Sequence, residues 1–324
     1  MDFGVLSTAG IARKSFLPAL EATEHEVTAV ASRDGERART FADDHGIDES
    51  YEGYEDLIAD ANIDAVYIPL PNGLHAQWTE RAADAGLDVL CEKPLTVDAG
   101  EAREVVEHCE DRGVTLMEGF MYRYHPRTER AIELARDELE DVRSVTAAFK
   151  FPLFDRPDDV RLSPDLAGGS LMDVGCYPVS LVRQILGEPE RAYAHADDSR
   201  GAGVDTELAG ILEYDDGSSA RVASGFDTQK VQRYRVEAAN GWLEVRDAFD
   251  APTDEPLDLE YRIDGRHGVE TFDPTDQFRL EIEEFASSVE DDRPPRTDGE
   301  EAIANMRVID ALAESAERDR SVEV

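Results

Sequence analysis

Gly4-Val5-Leu6-Ser7-Thr8-Ala9-Gly10-Ile11-Ala12 is the stretch that decides the fold of this 324-residue chain. A short apolar strand leads into a loop of small residues, and the loop leads into a helical pattern. The same order repeats, with strand patterns at 3–6, 26–31, 64–68, 86–90 and 114–117 and helical patterns at 11–22, 34–45, 74–85 and 99–112. Repeated βα units predict a doubly wound parallel sheet of the Rossmann type.

The first loop has an incomplete version of the dinucleotide-binding pattern G-x-G-x-x-A, because Ser7 and Ala9 replace two glycines. Small side chains still allow the backbone to approach a pyrophosphate, and a helix that begins at Gly10 offers free amides and its positive end. Taken alone, the loop fits an ordinary tight turn slightly better than a binding loop.

The end of the second strand bears on the choice of cofactor. Ser32 and Arg33 lie where an acid normally accepts hydrogen bonds from the ribose 2′-hydroxyl of NAD. A guanidinium binds phosphate through paired hydrogen bonds, so these two residues favour the 2′-phosphate of NADP. Asp34 follows directly and could serve the ribose of NAD instead. The sequence therefore predicts NADP and leaves NAD possible.

Lys93 is one of only four lysines in the chain, and it lies in Cys91-Glu92-Lys93-Pro94-Leu95 at the end of a buried strand pattern. Pro94 ends that strand, which places the ammonium at the carboxyl edge of the predicted sheet. Ligands bind at this edge in open α/β sheets. Lys93 is therefore a candidate active-site residue, and a solvated surface lysine is the less favoured interpretation.

The pattern changes after residue 140. Longer, half-polar strands with turns at Asp215-Asp216-Gly217 and Ala239-Asn240-Gly241 are interrupted by one helical stretch at 170–186, and a last helix follows at 299–318. This pattern predicts a second α/β domain with a large, open, mostly antiparallel sheet. The predicted domains are a nucleotide-binding domain at 1–121, a substrate-binding and oligomerisation domain at 122–296, and a C-terminal helix at 297–324 that packs back on the first.

Acidic residues dominate the charge: 73 stand against 33 basic residues, for a net charge of −40. At about 1 M salt the Debye length is only about 3 Å, which screens the self-repulsion of such a surface. The acids are spread between apolar positions and do not form a tail, so the composition indicates a salt-adapted cytoplasmic protein. The absence of a basic stripe argues against a nucleic-acid partner.

The remaining composition excludes other classes. The sequence has no apolar stretch long enough to span a bilayer and no signal-peptide pattern at its start. Its three cysteines lie far apart, without the spacing of a zinc site or a disulfide scaffold, and the histidines form no cluster with them. We therefore predict no membrane association and no metal.

Five ordered motifs resemble those of the glucose-fructose oxidoreductase and inositol dehydrogenase (Gfo/Idh/MocA) family over essentially the whole chain. They are Gly10-Ile11-Ala12, Ala31-Ser32-Arg33-Asp34, Ile68-Pro69-Leu70-Pro71-Asn72-Gly73-Leu74-His75, Cys91-Glu92-Lys93-Pro94-Leu95 and Gly168-Gly169-Ser170-Leu171-Met172-Asp173-Val174-Gly175-Cys176-Tyr177-Pro178. Phe120-Met121-Tyr122-Arg123-Tyr124-His125-Pro126 is most similar to the branch of NADP-dependent xylose 1-dehydrogenases and dimeric dihydrodiol dehydrogenases.

The resemblance implies roles for individual residues. Lys93 would lie beside the nicotinamide and the substrate, Asp173 would contact or orient the substrate, and Tyr177 would stand where many relatives have a catalytic histidine. Arg161 matches the arginine of a Trp-Arg pair, although Val160 replaces the tryptophan. The implied cofactor-binding residues are Ser7, Thr8, Ala9, Gly10, Ile11, Ala12, Ser32, Arg33, Leu70, Asn72, His75, Glu92, Lys93 and Arg161. The implied substrate-binding residues are Lys93, Tyr122, Arg123, Asp173 and Tyr177.

The residue types fit hydride transfer, which needs a base for the hydroxyl proton of the alcohol. Asp173 and Tyr177 are four apart in a predicted helix and share one face. A tyrosine of pKa about 10 is a poor base unless a cation such as Lys93 stabilises the phenolate, so either residue remains a candidate base.

The predicted function is therefore NADP-dependent oxidation of an aldose, of the xylose or glucose class, at C1 to the lactone. The alternatives are a dihydrodiol, polyol or inositol dehydrogenase and a non-enzymatic NADP-binding sensor on the same fold. The resemblance also implies a homodimer or homotetramer through the open sheet.

Overall fold

The computed structural model describes residues 1–60 and 62–324, which form two compact units. The first comprises Met1–Phe120 and Phe278–Ile303, and the second comprises Met121–Gln277 and Ala304–Val324. Within the first unit, the Phe285 ring packs 5.9 Å from that of Phe3, and Thr297 Oγ1 donates to the carbonyl of Glu118 at 2.6 Å. These contacts explain why 278–303 belongs with the amino-terminal residues. The three-part division predicted from the sequence stays a prediction.

The first unit is built on a parallel sheet. Its strands are β1 (Asp2–Val5), β2 (Glu26–Ser32), β3 (Glu49–Glu52), β4 (Ala65–Ile68), β5 (Asp88–Glu92) and β6 (Leu116–Gly119). Among the described residues the sheet has six strands, in the order β3-β2-β1-β4-β5-β6, and the neighbouring strands are parallel. The predicted Rossmann sheet is confirmed. The strand order reverses between β1 and β4, and this reversal leaves a crevice at the carboxyl ends of the strands, where ligands bind.

Helices connect these strands. A π-helical turn at Ala12–Phe16 continues as α1 (Leu17–Leu20), and α2 (Gly35–His45), α3 (Tyr54–Asp60), α4 (His75–Asp84) and α5 (Ala99–Arg112) follow. Local signals set their ends: Asp34 caps α2 by accepting from the amides of Glu36 and Arg37, and Gly46 ends it at φ 69°. The sequence patterns missed β3 and α3, because the β3 residues are mostly exposed and carry no apolar alternation.

The second unit is built on a large mixed sheet. Its strands are β7 (Val142–Lys150), β8 (Arg191–Asp197), β9 (Glu207–Glu213), β10 (Ser219–Gly225), β11 (Val231–Ala238), β12 (Gly241–Arg246), β13 (Leu257–Ile263), β14 (Arg266–Phe272) and β15 (Val322–Glu323). Their order in the described part of the chain is β14-β13-β12-β11-β7-β10-β9-β8-β15, with only β7 and β10 parallel. Burial alternates along β9, where Leu212 is buried and Ile211 is exposed. The predicted open, mostly antiparallel sheet is confirmed.

Further helices are α6 (Pro126–Asp137), a π turn at Leu171–Gly175 that continues as α7 (Cys176–Leu186), α8 (Gln277–Glu290) and α9 (Gly299–Arg318). The helices predicted at 170–186 and 299–318 are confirmed. The prediction of a single internal helical stretch after residue 140 was wrong, since α8 also forms. Helix α6 lies before residue 140, and the sequence patterns missed it. The buried face of α6 includes the polar residues Arg127 and Thr128. Its apolar residues therefore do not recur regularly enough to predict the helix from the sequence.

Two further features bear on function. Among residues 1–60 and 62–324, no helix has the length and apolar character needed to cross a bilayer. In the same ranges, no group of three or more His, Cys, Asp and Glu residues could hold a metal ion.

Candidate functional site

The loop after β1 offers backbone to an anion. The chain is helical from Gly10, and the amide of Arg13 donates to the carbonyl of Ala9 at 3.3 Å, so the preceding amides of the first turn have no partner within the helix. A Cβ placed on Gly10 would meet no atom within 4 Å. Ser7, Thr8 and Ala9 are half-buried. This open approach to a helix amino terminus fits the pyrophosphate of a dinucleotide.

The end of β2 carries the residues predicted to select NADP. Ser32 is buried and its hydroxyl accepts from the amide of Asp34 at 3.3 Å. Arg33 is exposed, and the charge of its guanidinium opposes the rise that burial causes in the pKa of Tyr54. Asp34 Oδ1 is occupied by the amides of Glu36 and Arg37 as the cap of α2. The exposed cation therefore fits a 2′-phosphate, and the capping role of Asp34 weakens the case for NAD.

Two side chains hold the loop that carries Lys93. Lys93 follows the last residue of β5 and is half-buried, and the Lys93–Pro94 peptide bond is cis. Glu118, at 1% exposure, accepts the amide of Leu95 at 2.7 Å. His75 is fully buried at the start of α4, with Nδ1 2.8 Å from the carbonyl of Pro94.

His75 also ties this loop to the loop after β4. Its Nε2 lies 2.7 Å from the carbonyl of Leu70. Burial lowers the pKa of His75 to about 4, so the ring is neutral near pH 7 and donates to one of the two carbonyls. Leu70 is buried and Asn72 is half-buried in the short 3₁₀ turn that follows. His75 thus holds the loop after β4 and the loop after β5 together at the carboxyl edge of the sheet. Its contact with the cofactor stays a prediction.

Sequence reasoning missed the partner of Glu92. The buried Tyr67 hydroxyl donates to Glu92 Oε1 at 2.6 Å, from the neighbouring strand β4. The Tyr67 ring stacks on Phe16, the last residue of the π turn, with centroids 3.9 Å apart. No local sequence pattern predicts the contact between Tyr67 and Glu92, because the two residues are 25 positions apart.

In the second unit, Asp173 lies in the π turn that opens α7 and is held by Arg161. The Nε of Arg161 donates to Asp173 Oδ2 at 2.8 Å, and its Nη1 donates to Asp159 Oδ1 at 3.2 Å. The Asp173 carboxylate raises the pKa of Arg161 further. Arg161 also lies over the Phe151 ring at 5.7 Å. The structure therefore gives Arg161 an acidic partner, and its predicted cofactor contact stays a prediction.

The turn before α7 requires its glycines. A Cβ on Gly168 would lie 2.5 Å from the carbonyl oxygen of Arg161, and Gly169 adopts φ 113° beside Asp205. Asp205 Oδ2 accepts from Ser170 Oγ at 2.6 Å and from the Leu171 amide at 2.9 Å. These contacts fix the start of the helix that presents Asp173 and Tyr177.

Tyr177 is 4% exposed and packs among aromatic rings. Its ring centroid lies 5.7 Å from that of Tyr122, 5.2 Å from Phe149 and 5.7 Å from Phe249. Its hydroxyl donates to Met121 Sδ at 3.4 Å. This rigid packing fixes the direction of the phenol.

The two other predicted substrate residues lie in the 3₁₀ turn Met121–Tyr124. Tyr122 is fully buried with its hydroxyl donating to Ser180 Oγ at 2.9 Å, while Arg123 is half-buried. The structure thus gives Tyr122 a packing role, and its contact with substrate stays a prediction. Lys93 belongs to the first unit and Asp173 and Tyr177 to the second, so their meeting is likewise a prediction.

Comparison with known proteins agrees with this geometry. The model of the oxidoreductase family with an NAD-binding Rossmann fold (GFO_IDH_MocA) matches residues 1–120, and the model of the GFO/IDH/MocA C-terminal domain matches residues 132–244.

Individual relatives match over nearly the whole chain. D-xylose 1-dehydrogenase (NADP(+)) 2 of Haloferax volcanii is 56% identical over 324 residues, covering 100% of both chains. The crystal structure of a 3-ketoreductase from Actinomadura kijaniata with NADP and TDP-benzene matches with a TM-score of 0.92 and 32% identity, covering 97% of each chain. An aldose-aldose oxidoreductase from Caulobacter crescentus complexed with glycerol matches with a TM-score of 0.91 and 29% identity, covering 100% of this chain and 99% of that one.

Proposed function

The chain belongs to the GFO/IDH/MocA family of oxidoreductases, and on that premise we propose that it oxidises an aldose of the xylose or glucose class at C1 to the lactone. It is an oxidoreductase that acts on CH–OH groups and uses NADP. The observation that carries the sugar assignment is the 56% identity, over the full length of both chains, to a xylose dehydrogenase. A dihydrodiol or polyol dehydrogenase and a non-enzymatic sensor are not favoured.

The described residues fit the cofactor at two places. The open helix start at Gly10 suits the pyrophosphate, and Ser32 with the exposed Arg33 suits the 2′-phosphate. When bound, NADP supplies the nicotinamide ring that accepts a hydride from C1. Loss of this hydride requires that the hydroxyl proton leave as well, and the chain must supply the base.

We assign that base to Tyr177, with Lys93 as the cation that stabilises its phenolate. A phenol acts as a base near neutral pH only where a cation stabilises its phenolate, and Lys93 is our candidate for that cation. Asp173, paired with Arg161, would orient the sugar by accepting hydrogen bonds from its hydroxyls. Asp173 is the second candidate for the base.

The assembly, setting and location are also part of this proposal. The open face of the second sheet presents Tyr193 and Ile211 at 40% and 43% exposure, which supports its use in a homodimer or homotetramer. The net charge of −40 and the Haloferax relative support a salt-adapted enzyme that works in the cytoplasm.

The test is NADPH formation, followed by absorbance, across a panel of aldoses, polyols and a trans-dihydrodiol in about 2 M potassium chloride. Xylose or glucose should give the fastest turnover, with a lactone as product, and Lys93→Met should lower that turnover by roughly two or more orders of magnitude. Turnover confined to the polyols or the dihydrodiol would refute the sugar assignment. NADPH binding without turnover of any compound would support the sensor instead.

A further inference from the structure

Tyr67 joins three parts of the first unit. It lies on β4 next to the last residue of that strand and is 1% exposed. Its hydroxyl donates to Glu92 Oε1 at 2.6 Å, at the end of β5. Its ring stacks on Phe16 with an interplanar angle of 7° and a centroid distance of 3.9 Å. Phe16 ends the π turn that follows the loop after β1.

This arrangement fixes the direction of the Glu92 carboxylate. A flat stack on Phe16 restricts the plane of the Tyr67 ring. Because a phenolic O–H bond prefers to lie in the ring plane, the stack also restricts the directions in which the hydroxyl can donate. Glu92 is itself 7% exposed, so water has little access to its carboxylate. Removing the phenol would therefore leave the buried carboxylate with one donor fewer, at a cost in free energy. A hydrogen bond from a hydroxyl to a carboxylate is short and stronger than a neutral one.

The position of Glu92 determines what its carboxylate can meet. In a sheet of order β3-β2-β1-β4-β5-β6, a dinucleotide lies across the carboxyl edge on both sides of the reversal between β1 and β4. Ser32 and Arg33, at the end of β2, would take the adenosine half. Glu92, at the end of β5, therefore lies on the side of the nicotinamide half.

We propose that Tyr67 is a positioning residue for the nicotinamide half of the cofactor, acting through Glu92, whose carboxylate accepts from the vicinal hydroxyls of the nicotinamide ribose. The inference rests on the proposed use of NADP. The stack on Phe16 also links this carboxylate to the helix that follows the pyrophosphate loop, so one aromatic pair connects the residue proposed for the ribose with the helix proposed for the pyrophosphate.

The experiment compares two ligands on the full-length protein in about 2 M potassium chloride. NADPH spans both halves of the site, whereas adenosine 2′,5′-bisphosphate occupies only the adenosine half. Tyr67→Phe keeps the ring on Phe16 and removes only the hydroxyl. This variant should weaken NADPH binding by about tenfold, the scale of one hydrogen bond to a charged group. Its affinity for the bisphosphate should stay within about twofold of the wild-type affinity.

Two controls sharpen the result. Tyr51 also donates to a glutamate, Glu49 Oε2 at 2.5 Å, but on the exposed strand β3, so Tyr51→Phe should leave both affinities unchanged. In a Glu92→Gln background, Tyr67→Phe should add little to the loss of NADPH affinity, because the two residues act as one unit.

The outcomes separate the possibilities. Equal weakening of both ligands would show that Tyr67 has only a general structural role and would overturn the inference. Unchanged NADPH affinity would overturn it as well. Failure of the wild type to bind either ligand would refute the proposed function itself.

Discussion

Arg161 donates from Nε to Oδ2 of Asp173 at 2.8 Å, and the Asp173 side chain is only 11% exposed. A carboxylate beside a permanent cation is stabilised in its charged, hydrogen-bond-accepting form. Such a group is well suited to orient sugar hydroxyls and is a weak proton acceptor. The pair therefore favours Tyr177 over Asp173 as the base.

The pair gives the first prediction. Arg161→Ala and Asp173→Asn should each lower kcat/KM for the sugar by about ten- to a hundredfold, and the double variant should be little worse than either, because both changes disrupt one unit. NADPH affinity, measured by fluorescence titration, should stay near that of the wild type. A selective loss of NADPH affinity in Arg161→Ala would instead place Arg161 on the cofactor.

The second prediction concerns the proton. Tyr177→Phe keeps the ring packed against Tyr122, Phe149 and Phe249, so fold and NADPH affinity should persist. Turnover should fall by roughly two or more orders of magnitude, the scale of a lost general base. Lys93→Met should lower turnover by a similar factor. The double variant should be little slower than either single variant, because the two residues act as one unit.

The pH profile checks the same assignment. Wild-type turnover should rise with pH through an apparent pKa below about 10, which is the ordinary pKa of tyrosine. This rise should be absent from the pH profile of Tyr177→Phe. Near-normal turnover of the variant would reassign the base, with Asp173 the first candidate.

The third prediction concerns Arg33. Arg33→Ala should weaken NADP by about 1.5 to 3 kcal/mol, as for hydrogen bonds to a charged group, and should affect NAD far less. Tyr54→Phe, which removes a hydroxyl near the Arg33 guanidinium, should show a smaller change in the same direction. Equal losses for both nucleotides would mean that Arg33 does not read the 2′-phosphate.

The fourth prediction concerns salt. With a net charge of −40, the thermal midpoint and the activity should rise steeply between dilute buffer and molar potassium chloride, because the Debye length contracts from about 30 Å at 0.01 M to about 3 Å at 1 M. Differential scanning calorimetry across this range gives the measurement. A flat thermal midpoint would contradict salt adaptation.

The fifth prediction concerns acid stability and His125. Its buried Nδ1 accepts the amide of Arg127 at 3.1 Å as the cap of α6, a role that needs the neutral ring. Burial, with Arg127 nearby, lowers the pKa of His125 to about 4. Below the ordinary value of about 6.5, the unfolded chain takes up a proton that the folded chain excludes.

Stability should therefore fall as pH drops from about 6.5 towards 4, by up to about 1.4 kcal/mol per pH unit from this residue. His125→Asn retains a capping oxygen and removes the titration, so its free energy of unfolding should fall less steeply in that window. Parallel curves for the two proteins in denaturant titrations would show that His125 does not contribute.

Local signals explain what the sequence reveals about this fold. Loops, helix caps and strand periods depend on neighbouring residues, so the first sheet and the loops at Gly10 and Lys93 could be predicted. The edge strand β3 and helix α6 were missed because one lacks an apolar face and the other buries polar residues such as Arg127.

The supporting contacts of the site could not be predicted in the same way. Tyr67 meets Glu92 only because β4 and β5 pair in a particular parallel register, which no local pattern encodes. Likewise, Glu118 reaches the Leu95 amide across 23 residues, from the end of β6. The sequence identified residues for the chemistry, whereas their partners required the three-dimensional structure.

The π turn at Leu171–Gly175 constrains how this protein can be engineered. Such a turn accommodates one residue more than an α-helical turn. Deleting one residue between Asp173 and Tyr177 would remove that extra residue and leave the two side chains three positions apart instead of four, which changes their relative direction even if every remaining residue were retained. Libraries aimed at new sugars should therefore exchange side chains in this segment and keep its residue count, since an insertion or deletion would redirect Tyr177 more than most substitutions could.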